Sequence, residues 1–97
     1  MDSAQALIII ALRAKAVENA VDHLQPKVVA VVTAQESMDE MFDGCMALRQ
    51  RGVDFKWHPM DEAMEIAEAF RRFARVLSQF QRMGFSHSDI LRPARTC

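Results

Sequence analysis

Three short stretches hold the polar side chains best suited to meet a ligand: Arg13-Ala14-Lys15, Thr33-Ala34-Gln35-Glu36-Ser37 and His58-Pro59-Met60. Arg13 and Lys15 set two cations beside the start of an expected helix. That position suits phosphate, because a helix N-terminus presents unpaired N–H groups and the positive end of the helix dipole. Thr33, Gln35 and Ser37 offer hydroxyls and an amide that can bond sugar or base edges. His58, next to Trp57, is placed to contact a base. Each feature also has a plainer role: Arg13 and Lys15 as solvated cations, Ser37 as a helix cap, His58 as an exposed turn residue. For Ser37 the cap comes first, and the two roles are compatible.

Other chemistries find no support in the residues. No G-x-G-x-x-G follows the first apolar run and no Walker A loop occurs, so a dinucleotide or P-loop site is not expected. No serine, histidine and acid form a recognisable triad. His23, His58 and His87 have no metal-ligand spacing with Cys45 and Cys97, so neither a metal nor another cofactor is expected. The two cysteines read as reduced thiols of a cytoplasmic protein. A net charge of -1 gives no general attraction for duplex nucleic acid, and any anion site must be local. The apolar run Ala6 to Leu12 is too short to cross a bilayer, and no basic region precedes it as in a signal peptide.

The elements that must position these residues follow from hydrophobic patterning. The chain has 97 residues, which bounds it to a single domain, 1–97. Ala6 to Leu12 and Lys27 to Thr33 are apolar without alternation, as strands covered on both faces are. Between them Val17, Ala20, Val21 and Leu24 recur at one helix face, and Pro26 ends that helix. Strand, helix and strand within about thirty residues make a βαβ unit. Ser37-Met-Asp-Glu40 has the capping-box form. It opens a second helix with Met38, Met41, Phe42, Cys45 and Leu48 on its apolar face and Gly52 as its stop. Val53 to Trp57 alternates, which predicts a strand near an edge, and His58-Pro59-Met60 reads as the turn after it.

A third, long helix is expected from Asp61 to about Met83. Its buried stripe is read as Ala63, Ile66, Ala67, Phe70, Phe73, Ala74, Leu77 and Phe80, with Met64, Phe73, Val76 and Phe80 spreading apolar surface beyond a narrow stripe. Ser88 to Leu91 could start a short fourth strand. The expected fold is therefore α/β: a small Rossmann-like three-layer fold with a mostly parallel sheet, in the order β-α-β-α-β-α plus a short C-terminal stub. The seven methionines mostly fall on helix faces and read as core filler.

With these elements placed, the order of features resembles the CRISPR-associated Rossmann fold, the CARF domain. The similarity spans most of the chain: the apolar first strand, AVENAVDHLQPKVVAVVTAQES, and VDFKWHPMDEAMEIAEAFRRFARVL. The resemblance implies a homodimer that binds cyclic oligoadenylate at its strand ends in antiviral defence. Some members of the family also degrade that ring. Two departures stand out. The turn after the first strand is Ala11-Leu12-Arg13-Ala14, with bulk where the family has glycine or a small hydroxyl residue. The family's D-x-T-G-G-T-K motif has no counterpart in Asp89 to Cys97.

Two functions are thus expected as alternatives. One is a nucleotide-sensing module with Arg13, Lys15, Thr33, Gln35, Ser37 and His58 at its site. Its enzymatic variant is a metal-independent ring nuclease, for which the sequence offers no evident general base. The other is a structural or dimerisation protein whose ligand site has decayed. Both expect an oligomer, since three helices cover a parallel sheet only thinly.

Overall fold

The computed structural model describes residues 5–60, 65–85 and 90–91. The elements are β1 (Ala6–Ile10), α1 (Ala14–Leu24), β2 (Val28–Ala34), a 3-10 turn (Gln35–Ser37), α2 (Met38–Gly44), α3 (Met46–Gln50), β3 (Asp54–Met60), α4 (Ile66–Arg82) and β4 (Ile90–Leu91). All strand pairs are parallel, in the order β3-β2-β1-β4. The chain is an α/β protein with a small Rossmann-like fold: three full strands, helices between them and a two-residue final strand.

The absence of alternation in β1 and β2 has its cause in two covering layers. Leu7, Ile9, Val29 and Val31 pack with Val17 and Val21 of α1, with Met41 of α2 and Leu48 of α3, and with Cys45 between those two helices. Ile8, Ile10, Ala30 and Val32 point the other way and pack with Ala69, Val76 and Phe80 of α4. Every side chain of β1 is buried. The chain steps from β1 to β2 to β3 in one direction with α1, α2 and α3 on one face. It then reverses past β1 to β4 with α4 on the other face. Helices change face when the direction of travel changes, as right-handed crossovers require.

Several expectations are corrected. His58, Pro59 and Met60 are not a turn but the last residues of β3, paired with Val32, Thr33 and Ala34. Proline is tolerated there because β3 is an edge strand. The Asp54 N–H bonds the Lys27 carbonyl at 3.0 Å, so even-numbered residues of β3 aim their backbone groups at β2. Pro59 is odd-numbered, and the N–H it lacks would have pointed away from the sheet.

Ser37 does not cap a helix. It closes the 3-10 turn with helical torsions (φ -94, ψ -1) and its side chain makes no capping hydrogen bond. The second helix is two short ones joined at Cys45, although backbone bonds continue through the join (Cys45 N–H to Met41, Arg49 N–H to Cys45, both 3.0 Å). Gly52 follows at φ 100, a left-handed conformation open to glycine at no steric cost, and the chain enters β3.

The buried stripe of α4 is rotated from the expected one. Ala69, Val76 and Phe80 are buried and Phe73 and Leu77 are half-buried, while Ala67 and Ala74 are exposed. Ile66 and Phe70 are 57% and 61% exposed. The surplus apolar surface of this helix is therefore at Ile66 and Phe70 and not at Val76 and Phe80. Burying Val76 and Phe80 contributes on the order of 1.5–3 kcal/mol each. Asp61, Ala63 and Met64 lie outside the described residues, as do Ser88 and Asp89. Ile90–Leu91 form the expected stub, against Ala6 and Leu7.

Candidate functional site

All strands are parallel, so their carboxyl ends lie along one rim of the sheet. The order β3-β2-β1-β4 places the reversal of direction between β1 and β4. In open α/β sheets the crevice at such a reversal is where ligands bind. The β1–α1 connection enters this crevice. The Ala11 N–H still bonds the Val32 carbonyl at 3.0 Å, extending the ladder by one residue. Ala11 is buried and Leu12 half-buried, so the turn is filled by side chains.

Arg13 then takes the N-cap position of α1 in extended conformation (φ -129, ψ 137) and its side chain caps nothing. Arg13 and Lys15 are both exposed. Among the described residues neither forms an ion pair. Two cations uncommitted among the described residues thus flank the first turn of an eleven-residue helix, which carries no acidic residue in that turn to oppose an anion. Gln35 is exposed and Ser37 half-buried in the turn after β2, on the same rim.

Thr33 and His58 are placed differently. Thr33 is fully buried, and its Oγ1 has no hydrogen-bond partner among the described residues. Its position in β2 sends it to the α1–α2 face, beneath the rim. His58 points to the α4 face and is half-buried. Removal from water, and then the positive charge of Arg72, lower its pKa below the ordinary histidine value. The fold brings Arg13, Lys15, Gln35 and Ser37 to one rim and separates Thr33 from His58 by the thickness of the sheet.

No family model matches this chain, and no curated protein matches it.

Of two further features, one has no signal in the sequence pattern and the other has a single one. Arg72 is the charged neighbour of His58, and nothing in the spacing links β3 to the second turn of α4. An aromatic cluster lies on the α1–α3 side of β3. The Phe55 and Trp57 rings stack at 5.3 Å and 13°, and Phe42 meets Trp57 edge-on at 4.9 Å and 86°. The alternation of Val53, Phe55 and Trp57 is the one signal that points to it. Among the described residues no group of three His, Cys, Asp or Glu side chains could hold a metal ion, and no helix is long and apolar enough to cross a membrane. Cys45 is buried, and burial followed by the charge of Glu18 pushes its thiol up to about 11. A thiol held protonated in this way is a core residue and a poor nucleophile.

Proposed function

We propose that the chain is a nucleotide-binding module, similar in kind to CARF domains, that works as a homodimer and takes a cyclic oligoadenylate at the rim of its parallel sheet. The observation that carries this reading is the pair Arg13 and Lys15, unpaired among the described residues, at the N-terminus of α1 in the crevice where the strand order reverses. Phosphate oxygens would meet the guanidinium, the ammonium and the first N–H groups of α1. Gln35 and Ser37 supply polar groups further along the rim for sugar or base. Thr33 acts from below as packing, and His58 belongs to the opposite face.

Calorimetry with cyclic tetra- and hexaadenylate at tens of micromolar protein tests the proposal. Heat of binding that disappears in Arg13→Ala is expected; no heat with either ring overturns it. Incubation with labelled ring, followed by separation of linear products, distinguishes binding alone from ring cleavage.

The second reading, a structural protein with a decayed site, draws on the β1–α1 turn. Buried Ala11 and half-buried Leu12 occupy the position where a phosphate-binding loop would bring bare backbone to its ligand. That reading predicts a melting temperature indifferent to either ring. A shift of several degrees counts against it, because a ligand that binds only the folded state must stabilise it.

A further inference from the structure

We propose that the groove between α3 and the start of β3 binds a planar aromatic ring that carries a carboxylate or a phosphate. Val53 to Phe55 lie at the amino end of the sheet, so this site is separate from the crevice at the rim and does not depend on the functional reading above.

The groove has a volume of about 640 Å³, which is ligand-sized, since small-molecule sites run to ~300–1,000 Å³. One wall is the side of α3 that carries Met46, Arg49 and Gln50, which share a helix face by their i, i+3, i+4 spacing. The other wall is Val53, Phe55 and Trp57, which alternate onto one side of the chain as it enters β3.

The aromatic wall has room for a third ring. Phe55 and Trp57, two residues apart, stack along the strand at 5.3 Å and 13°. Phe42 meets Trp57 edge-on at 4.9 Å and buttresses it. Trp57 covers one face of Phe55. The other face looks back along the strand toward Val53, whose smaller side chain leaves the stack unfinished. A flat ring inserted there continues the stack at a spacing that aromatic pairs favour. The thioether of Met46, 48% exposed, lines the opposite wall and makes favourable contacts with ring edges.

The charges select an anion. Asp54, the acid that lines the groove, is held by Lys56 at 3.4 Å. Arg51, just past α3, is held by Asp22 at 3.2 Å. Arg49 is exposed and makes no ion pair or side-chain hydrogen bond among the described residues. The groove therefore keeps one guanidinium in surplus, beside an aromatic wall. A guanidinium takes carboxylate or phosphate oxygens through two parallel N–H···O bonds. The Gln50 amide, which both donates and accepts, can orient a substituent on the ring. A neutral ring would leave Arg49 unused, and a bare anion would leave the stack open.

NMR of the isotope-labelled full chain tests the site at the indole N–H of Trp57, the single tryptophan of the chain. Adenosine monophosphate and naphthoate are the anionic probes; adenosine and inorganic phosphate are the controls. A saturable shift of the indole signal is expected with at least one anionic probe, and the one that responds tells a nucleotide source from a carboxylate source. Arg49→Ala, a change at an exposed side chain, is expected to weaken binding by about 10-fold or more. Phe55→Leu, which removes the stacking face, is expected to weaken it as well; where that variant fails to fold, the Arg49→Ala titration decides. No shift with either anionic probe, an equal response to adenosine or phosphate alone, or unchanged affinity in either folded variant overturns the proposal. Binding of adenosine monophosphate that is lost in Arg13→Ala and kept in Arg49→Ala also overturns it, because the nucleotide then sits at the rim. A chain that binds a probe here and gives no heat with either cyclic oligoadenylate overturns the functional reading and leaves this site standing.

Discussion

The Ala14 side chain occupies the space that a side chain on Gly44 would need. Residue 14 opens α1 and residue 44 closes α2, so this contact sets how closely the two helices approach over the β1–β2 face. A methyl group at position 44 has to displace backbone or helix. Gly44→Ala is expected to lower stability by about 1–3 kcal/mol, as overpacking does. Urea unfolding reads this directly, and an unchanged midpoint would show that the helices separate freely.

Thr33 offers the opposite case. Its Oγ1 is buried without a partner among the described residues, and an unmade hydrogen bond there costs about 1–3 kcal/mol. Thr33→Val keeps the shape and removes the hydroxyl. The expected outcome is equal or higher stability in denaturant. A loss above about 1 kcal/mol would mean that the hydroxyl has a bonding partner in solution.

His58 links stability to pH. Its folded-state pKa lies below the ordinary histidine value of 6.5, through burial first and Arg72 second. The unfolded chain therefore binds the proton more readily. Stability from this group is fully present above the unfolded pKa and is lost as pH falls through the folded pKa. Melting curves from about pH 7.5 down to about pH 5 should show that loss, and His58→Asn should flatten it. Proton NMR should give a titration midpoint below 6.5, rising in Arg72→Ala.

Cys45 should be inert. With its thiol pushed up to about 11 and its side chain buried, alkylation at about pH 8 in the Cys97→Ser protein is expected only on unfolding. Labelling followed by mass spectrometry, with and without denaturant, measures it. Rapid labelling of the native protein would contradict the burial of α2 and α3 on the sheet.

Arg13 should matter to ligand and not to fold. The side chain is exposed and caps nothing, so Arg13→Ala is expected to leave the melting temperature unchanged. One charge-assisted hydrogen bond is worth about 1.5–3 kcal/mol, so nucleotide affinity should fall by about 10-fold or more. Equal affinity in the two proteins would remove Arg13 from the site.

The unbroken apolar runs of β1 and β2 are enough by themselves to require burial on both faces. A side chain on either face of a covered strand must be apolar, and that constraint is local in sequence. The same holds for the face of α1 that carries Val17 and Val21, for the glycine at 52 and for the edge character of β3, visible in the alternation from Val53 to Trp57. The placing of Arg13, Lys15, Gln35 and Ser37 on one rim also follows from strand order alone, since the turns after parallel strands share one end.

Other features need the assembled sheet. The apolar residues of α4 spread around the helix, and Ile66 with Phe70 is as good a stripe by periodicity as Ala69 with Val76 and Phe80. Only the position of the helix over β1 and β2 decides which is buried. Pro59 looks like a turn residue until the hydrogen-bonding side of β3 is known, because its missing N–H harms a strand only when it faces a neighbour. Thr33 and His58 sit in stretches of similar polarity, yet one is sealed in the core and the other faces Arg72. The pleat alternates neighbours between faces, and which face meets which helix is settled by the crossovers and not by the residues themselves.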